Sequence, residues 1–149
     1  MKILIVGNGA RESALALKLR DDSRISKLYF AKGTVTTAEL GQNVYDESVE
    51  GLRDFAIKER IDLTIVGPEA PLVEGIVDEF KKHGLKIFGP EKRAAELEGS
   101  KAFSKKFMQT NNIKTAKAVV FDAYKDAIDY VKQQQFPIVI KASGLAGGK

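Results

Sequence analysis

The chain opens on Lys2-Ile3-Leu4-Ile5-Val6, an apolar run that Gly7-Asn8-Gly9 breaks and that Arg11 to Leu19 follows in a helical pattern. A continuous apolar strand needs cover on both faces, which a parallel sheet flanked by helices supplies. A glycine turn between such a strand and a helix lets the backbone approach a ligand, and the free amides of the helix start point toward an anion. Arg11 in the first helical turn opposes the helix dipole, a penalty that a bound phosphate reverses. The bland alternative is a tight turn from which Arg11 reaches into solvent. The pattern places Ala14, Leu15, Leu17 and Leu19 toward the sheet.

The alternation continues downstream. Lys27 to Phe30 reads as a strand, with a Gly/Thr-rich loop at Gly33 to Thr37 after it. Val49 to Glu59 has helical spacing, Ile61 to Val66 is a central strand, and Pro71 to His83 reads as a helix ended by Gly84. Leu85 to Phe88 gives a fourth strand. Strands and helices in turn imply right-handed crossovers and an α/β, open, parallel, doubly wound sheet. From Glu91 the pattern changes to two helical pieces, Glu91 to Leu97 and Ser100 to Asn111. A strand at Ala116 to Phe121, a helix at Tyr124 to Gln134 and a strand at Phe136 to Lys141 come next. The expected division is 1–99 for the first domain and 100–149 for the beginning of a second.

Composition removes several classes of function. No stretch approaches the roughly 20 apolar residues of a membrane span, and Met1 to Val6 is too short for a signal peptide. The chain has no cysteine, hence no disulfide framework and no thiolate nucleophile. His83 is the sole histidine, which disfavours a Ser-His-Asp arrangement or a histidine metal cluster. The net charge of +4 is spread over lysines and arginines interleaved with acids. That is the pattern of solvated surface, not of a nucleic-acid face. The expectation is a cytoplasmic protein without nucleic-acid or membrane partners.

The turns carry the remaining information. Gly7-x-Gly9 begins a dinucleotide fingerprint, but Glu12 stands where the third glycine belongs. Phe30-Ala31-Lys32 then offers no acid for a ribose hydroxyl. A phosphate without a dinucleotide fits better. Gly67-Pro68-Glu69-Ala70-Pro71 follows the third strand directly, and ligands of open parallel sheets lie beyond the carboxyl ends of the strands. Gly7, Asn8, Gly9 and Arg11 therefore share a candidate crevice with Glu69, which either takes a ligand amine or hydroxyl or caps the next helix. The last segment, Pro137 to Lys149, lacks the spacing of a P-loop. It reads as a strand ending at Lys141 and a glycine loop suited to covering phosphates.

Four segments together resemble the glycinamide ribonucleotide synthetases, or phosphoribosylamine–glycine ligases, of purine biosynthesis. They are Val6-Gly7-Asn8-Gly9-Ala10-Arg11-Glu12, Val66-Gly67-Pro68-Glu69-Ala70-Pro71-Leu72, Phe88-Gly89-Pro90 through Leu97-Glu98-Gly99-Ser100-Lys101, and Ile138 through Lys149. The resemblance implies a Rossmann-like domain that precedes an ATP-grasp domain. It also implies a ligase in which ATP phosphorylates glycine and the amine of 5-phosphoribosylamine attacks the glycyl phosphate. Gly7, Asn8, Gly9, Arg11 and Glu69 would hold the phosphoribosyl substrate. Lys101, Lys141, Gly144, Gly147, Gly148 and Lys149 would meet ATP.

No catalytic residue and no metal ligand is expected within these residues, the Mg2+ ligands lying beyond Lys149. The resemblance thus implies the N-terminal portion of an enzyme, inactive by itself, and the expected state is a monomer. Departures from the family pattern are Ser13 in place of histidine, Lys32-Gly33-Thr34 in place of Pro-Gly-Asn, and Ser143 in place of aspartate. Two other readings stay open: another ATP-grasp ligase or carboxylase, and a stand-alone module that binds a phosphosugar or nucleotide.

Overall fold

The computed structural model describes residues 1–146. Its strands and helices run β1 (Lys2–Val6), α1 (Ala10–Arg20), β2 (Lys27–Ala31), α2 (Val35–Ala38), β3 (Gln42–Val44), α3 (Val49–Glu59) and β4 (Leu63–Val66). They continue through α4 (Glu69–Glu74), α5 (Ile76–Lys82), β5 (Ile87–Phe88), α6 (Lys92–Gly99), α7 (Lys101–Thr110) and α8 (Tyr124–Val131). The chain divides into two compact units, Met1–Ala95 and Glu96–Lys149.

In the first unit the five strands are ordered β3-β2-β1-β4-β5, and every pairing is parallel. This is the doubly wound sheet expected from the alternation of elements, and its strand order reverses between β1 and β4. Alternate residues of each strand serve opposite faces. Leu4, Val6, Tyr29 and Ala31 pack with Leu52 and Ala56 of α3 and with Ile76, Val77 and Phe80 of α5. Ile3, Ile5, Leu28 and Phe30 pack with Ala16 and Leu19 of α1 on the other side. Each fully buried large side chain of these layers stabilises the unit by about 1.5–3 kcal/mol. At the edge of the core, the hydroxyl of the buried Tyr29 donates to Glu59 Oε2 at 2.9 Å. That bond, with help from Lys2, holds the Glu59 carboxyl below its ordinary pKa.

Several local expectations within the first unit need correction. Of the apolar residues assigned to the inner side of α1, Ala14, Leu15 and Leu17 are exposed, while Glu12 and Ala16 are buried. The stripe that meets the sheet is Glu12, Ala16 and Leu19, spaced by four and three residues, as one helix face requires. The helix expected over Pro71 to His83 starts earlier and breaks in two. Gly75, at φ 102°, ends α4 and opens α5, a conformation that side-chain-bearing residues avoid. Strand Leu85 to Phe88 shortens to Ile87–Phe88, and β3 and α2 were not anticipated at all.

The second unit is helical in its described residues. Ser100 caps α7, its hydroxyl accepting from Phe103 N–H at 3.2 Å. Phe103 and Phe107 stack one turn apart with centroids 6.4 Å apart, and Phe121 lies against Tyr130. The strands expected at Ala116 to Phe121 and Phe136 to Lys141 are absent. Val139 and Ile140 are 79% and 80% exposed, so these apolar runs have neither ladder partner nor covering layer. An extended segment becomes a strand only when a neighbour takes its backbone hydrogen bonds.

Candidate functional site

The two turns singled out in the sequence lie at adjacent strand ends. β1 pairs with β4 in the register Val6 opposite Val66, so Gly7 and Gly67 leave the sheet side by side at the point where strand order reverses. Gly7 N–H donates to Ala31 O at 3.3 Å, and Gly67 N–H donates to Val6 O at 3.0 Å. These bonds tie both turns to the sheet and fix their separation. Gly7 is held at φ 119°, which explains a glycine there on backbone grounds alone.

Two groups from the sequence reading come together here. Arg11, in the first turn of α1, and Glu69, the first residue of α4, face each other with Nη2 to Oε2 at 3.7 Å. Both side chains are substantially exposed, so the pair is worth little to stability, yet it places a cation and a carboxylate at one rim. As an acid in the first turn of α4, Glu69 also complements the positive end of that helix dipole. Asn8 and Gly9 are exposed beside them. Lys32, at the end of β2, has its ammonium 2.7 Å from Glu47 Oε2.

Sequence reasoning missed the central residue. Glu12 is 3% exposed and lies between the turns. Its Oε2 accepts from Gly9 N–H at 2.6 Å. Its Oε1 is buried without a hydrogen-bond partner. A Cβ on Gly7 would come within 2.8 Å of the Glu12 carboxyl carbon, one on Gly9 within 2.9 Å of Oε2, and one on Gly67 would overlap Oε1. Three glycines thus converge on one carboxylate. The signal was available: an acid three residues after a helix N-cap commonly folds back onto the cap amide, and glycine at the cap leaves that half of the capping box alone.

In the second unit, Lys101 and Gly144 are joined. Lys101 Nζ donates to Gly144 O at 2.9 Å, Lys101 N–H donates to Ser143 O at 2.9 Å, and Ala102 N–H donates to Ser143 Oγ at 3.1 Å. The start of the glycine loop is therefore fastened to the first turn of α7. Lys141 is exposed in a segment that is not a strand. Gly147, Gly148 and Lys149 lie outside the described residues. Among the described residues no three His, Cys, Asp or Glu side chains gather as metal ligands, and no helix is long and apolar enough to cross a membrane. A groove of about 550 Å³ lined by Glu50, Glu74, Asp78, Lys82 and Lys92, among others, shares no residue with the two glycine turns.

Comparison with known proteins matches the chain in two consecutive parts. Residues 1–98 match the N domain of phosphoribosylglycinamide synthetase, and residues 99–149 match its ATP-grasp (A) domain. The phosphoribosylamine–glycine ligase of Clostridium acetobutylicum is 53% identical over 151 residues, covering 100% of this chain and 36% of that protein. The crystal structure of phosphoribosylamine–glycine ligase from Thermotoga maritima superposes with a TM-score of 0.74 at 28% identity, covering 100% of this chain and 34% of the other. The biotin carboxylase domain of Hydrogenobacter thermophilus 2-oxoglutarate carboxylase, solved with MgADP and bicarbonate, superposes with a TM-score of 0.76 at 18% identity, over 99% of this chain and 36% of that one. That last likeness is one of fold. The chain spans about a third of the length of the curated relatives it matches.

Proposed function

The chain belongs to the phosphoribosylglycinamide synthetase family, and from that premise we propose that it contributes the front of the substrate site to an ATP-dependent ligase that joins glycine to 5-phosphoribosylamine. The observation that carries the proposal is the meeting of Arg11 with Glu69 across the β1 and β4 turns. A phosphorylated amino sugar carries an anion at one end and donors at the other, and this rim offers a partner to each. Gly7, Asn8 and Gly9 form its floor. The domain boundary falls near residue 99, with the substrate on the first domain and ATP on the second.

Lys101, Lys141 and Gly144, with Gly147 to Lys149, are the residues that would hold ATP. The donor chemistry suits it, since ammonium groups and loop amides complement phosphate oxygens. ATP, with Mg2+, would supply the phosphoryl group that activates the glycine carboxylate. The part of this chain is to bind and orient: Arg11 draws in the sugar phosphate, and Glu69 accepts from a hydroxyl or the amine. The same reading makes the protein a cytoplasmic monomer that acts on small molecules, with no nucleic-acid or membrane partner.

A calorimetric titration with ribose 5-phosphate tests this. Arg11→Ala should weaken binding about tenfold, the loss of roughly 1.4 kcal/mol of binding free energy. It should change folding stability by only about 0.5 kcal/mol, as for other exposed pairs. Equal affinities for the two proteins would remove Arg11 from the site.

A further inference from the structure

The sequence reading gave the glycine turn to a phosphate of the ligand, yet in the structure the position in front of α1 is already filled by an anion from the chain itself. Glu12 Oε2 takes the Gly9 amide at 2.6 Å, and the side chain is 3% exposed. The space that glycines at 7, 9 and 67 leave open is space occupied by this carboxylate. A second anion there would lie against the first with no cation between them, because Arg11 is turned outward to Glu69. Like charges in a poorly solvated turn repel strongly.

Glu12 Oε1 adds an independent observation. It is buried and has no donor, a condition that native structures rarely keep without a reason. The oxygen is aimed at Gly67, in the turn that leads to Glu69, so it lies between the two turns that line the proposed substrate site. A carboxylate oxygen without a donor is satisfied by a donor such as a hydroxyl or an amine, whereas the ionised oxygens of a phosphate are acceptors only and are repelled by it.

We propose that Glu12 is a specificity-determining residue: an internal anion that closes the glycine turn to phosphate groups and gives that end of the sheet to the hydroxyl and amine groups of the ligand. The ligand phosphate is then left to the exposed Arg11 at the rim. This inference rests on the substrate reading above for the identity of the ligand, but not for the exclusion of anions.

Amide NMR of the 149-residue chain and its Glu12→Ala and Glu12→Gln variants, titrated with inorganic phosphate and separately with ribose 5-phosphate, tests it. In the unaltered chain, inorganic phosphate should leave the Gly9 amide unmoved at millimolar concentration. In Glu12→Ala, where the turn is opened, the same titration should move Gly9 saturably, with an affinity at least tenfold higher. Phosphate that moves Gly9 equally in both proteins overturns the proposal. If Glu12→Ala does not fold, the unaltered chain decides alone, since a saturable Gly9 shift there is equally fatal. Ribose 5-phosphate should move Arg11 and Gly67 in the unaltered chain and bind more weakly to Glu12→Gln, which keeps the shape and removes the charge. Absence of any ribose 5-phosphate binding to the unaltered chain sinks the substrate reading, while the phosphate comparison still judges Glu12.

Discussion

Replacing Gly67 by alanine isolates the contact between the two turns. Gly67 has an ordinary backbone conformation, and the nearest obstacle to a Cβ there is the Glu12 carboxylate. The new methyl must therefore displace Glu12 from the Gly9 amide. Losing a hydrogen bond to a charged group costs about 1.5–3 kcal/mol, and an off-rotamer side chain adds about 0.5–1.5 kcal/mol. Reduced freedom of the unfolded chain returns about 0.4–1 kcal/mol. The net expectation is a loss of about 2–3 kcal/mol, or roughly 5–10 °C in melting temperature for a chain of this size.

Glu12→Ala should be far milder, within about 1 kcal/mol of neutral, because it loses the same bond but also removes a buried oxygen that has no donor. In the Glu12→Ala background, Gly67→Ala should cost about 0.5 kcal/mol or less, since the obstacle is gone. The coupling between the two sites is then at least about 1.5 kcal/mol in a double-mutant cycle. Urea unfolding followed by circular dichroism measures all four proteins, with an unchanged m-value as the check that the comparison is valid. Costs that simply add would refute the role given to Glu12. Gly7→Ala supplies the contrast. Its φ of 119° and the approach of Pro68 to a Cβ there persist without Glu12, so about 1–3 kcal/mol of strain should remain in either background.

Two further outcomes follow from Glu59 and Glu79. Tyr29→Phe removes the buried hydroxyl that donates to Glu59, so the urea midpoint should fall and the Glu59 carboxyl should titrate at higher pH; carboxyl NMR through an acid titration reads the second effect directly. The Glu59 and Glu79 carboxyls are both held below their ordinary values, Glu59 chiefly by the Tyr29 hydroxyl and Glu79 chiefly by Arg53. A carboxyl with a depressed folded-state pKa contributes stability that is present above its unfolded pKa and disappears as pH falls through the folded one. The unfolding midpoint should therefore decline below the ordinary carboxylate range, and Arg53→Met should flatten the part of that decline that Glu79 supplies.

Local patterns carried a good deal of this molecule. Apolar runs cut by Gly-x-Gly or Gly-Pro identified β1, β4 and the positions of both turns, because a strand end and a glycine break are properties of a few consecutive residues. The alternation of strand and helix gave the parallel sheet, since crossover handedness leaves few other ways to arrange it. The four spaced segments identified the family. What was not legible depended on residues distant in the chain. β3 is three residues long and exists because β2 supplies its hydrogen bonds, whereas the stronger apolar runs at Ala116 to Phe121 and Phe136 to Lys141 have no such neighbour and form no strand.

The glycine turn shows the same division most sharply. Its place between β1 and α1, and the unsuitability of Glu12 for a dinucleotide, were determined by the sequence alone. Which way Glu12 points was not. Counting leucines placed the inner face of α1 on the wrong residues, because the face is chosen by where the sheet lies and not by which side chains are most apolar. Only the packing of Ala16 and Leu19 against the sheet rotates Glu12 inward, and only the register of β1 with β4 brings Gly67 against it. A carboxylate in that position is a tertiary fact: its partners lie three residues away on one side and 55 on the other, and no local pattern spans that distance.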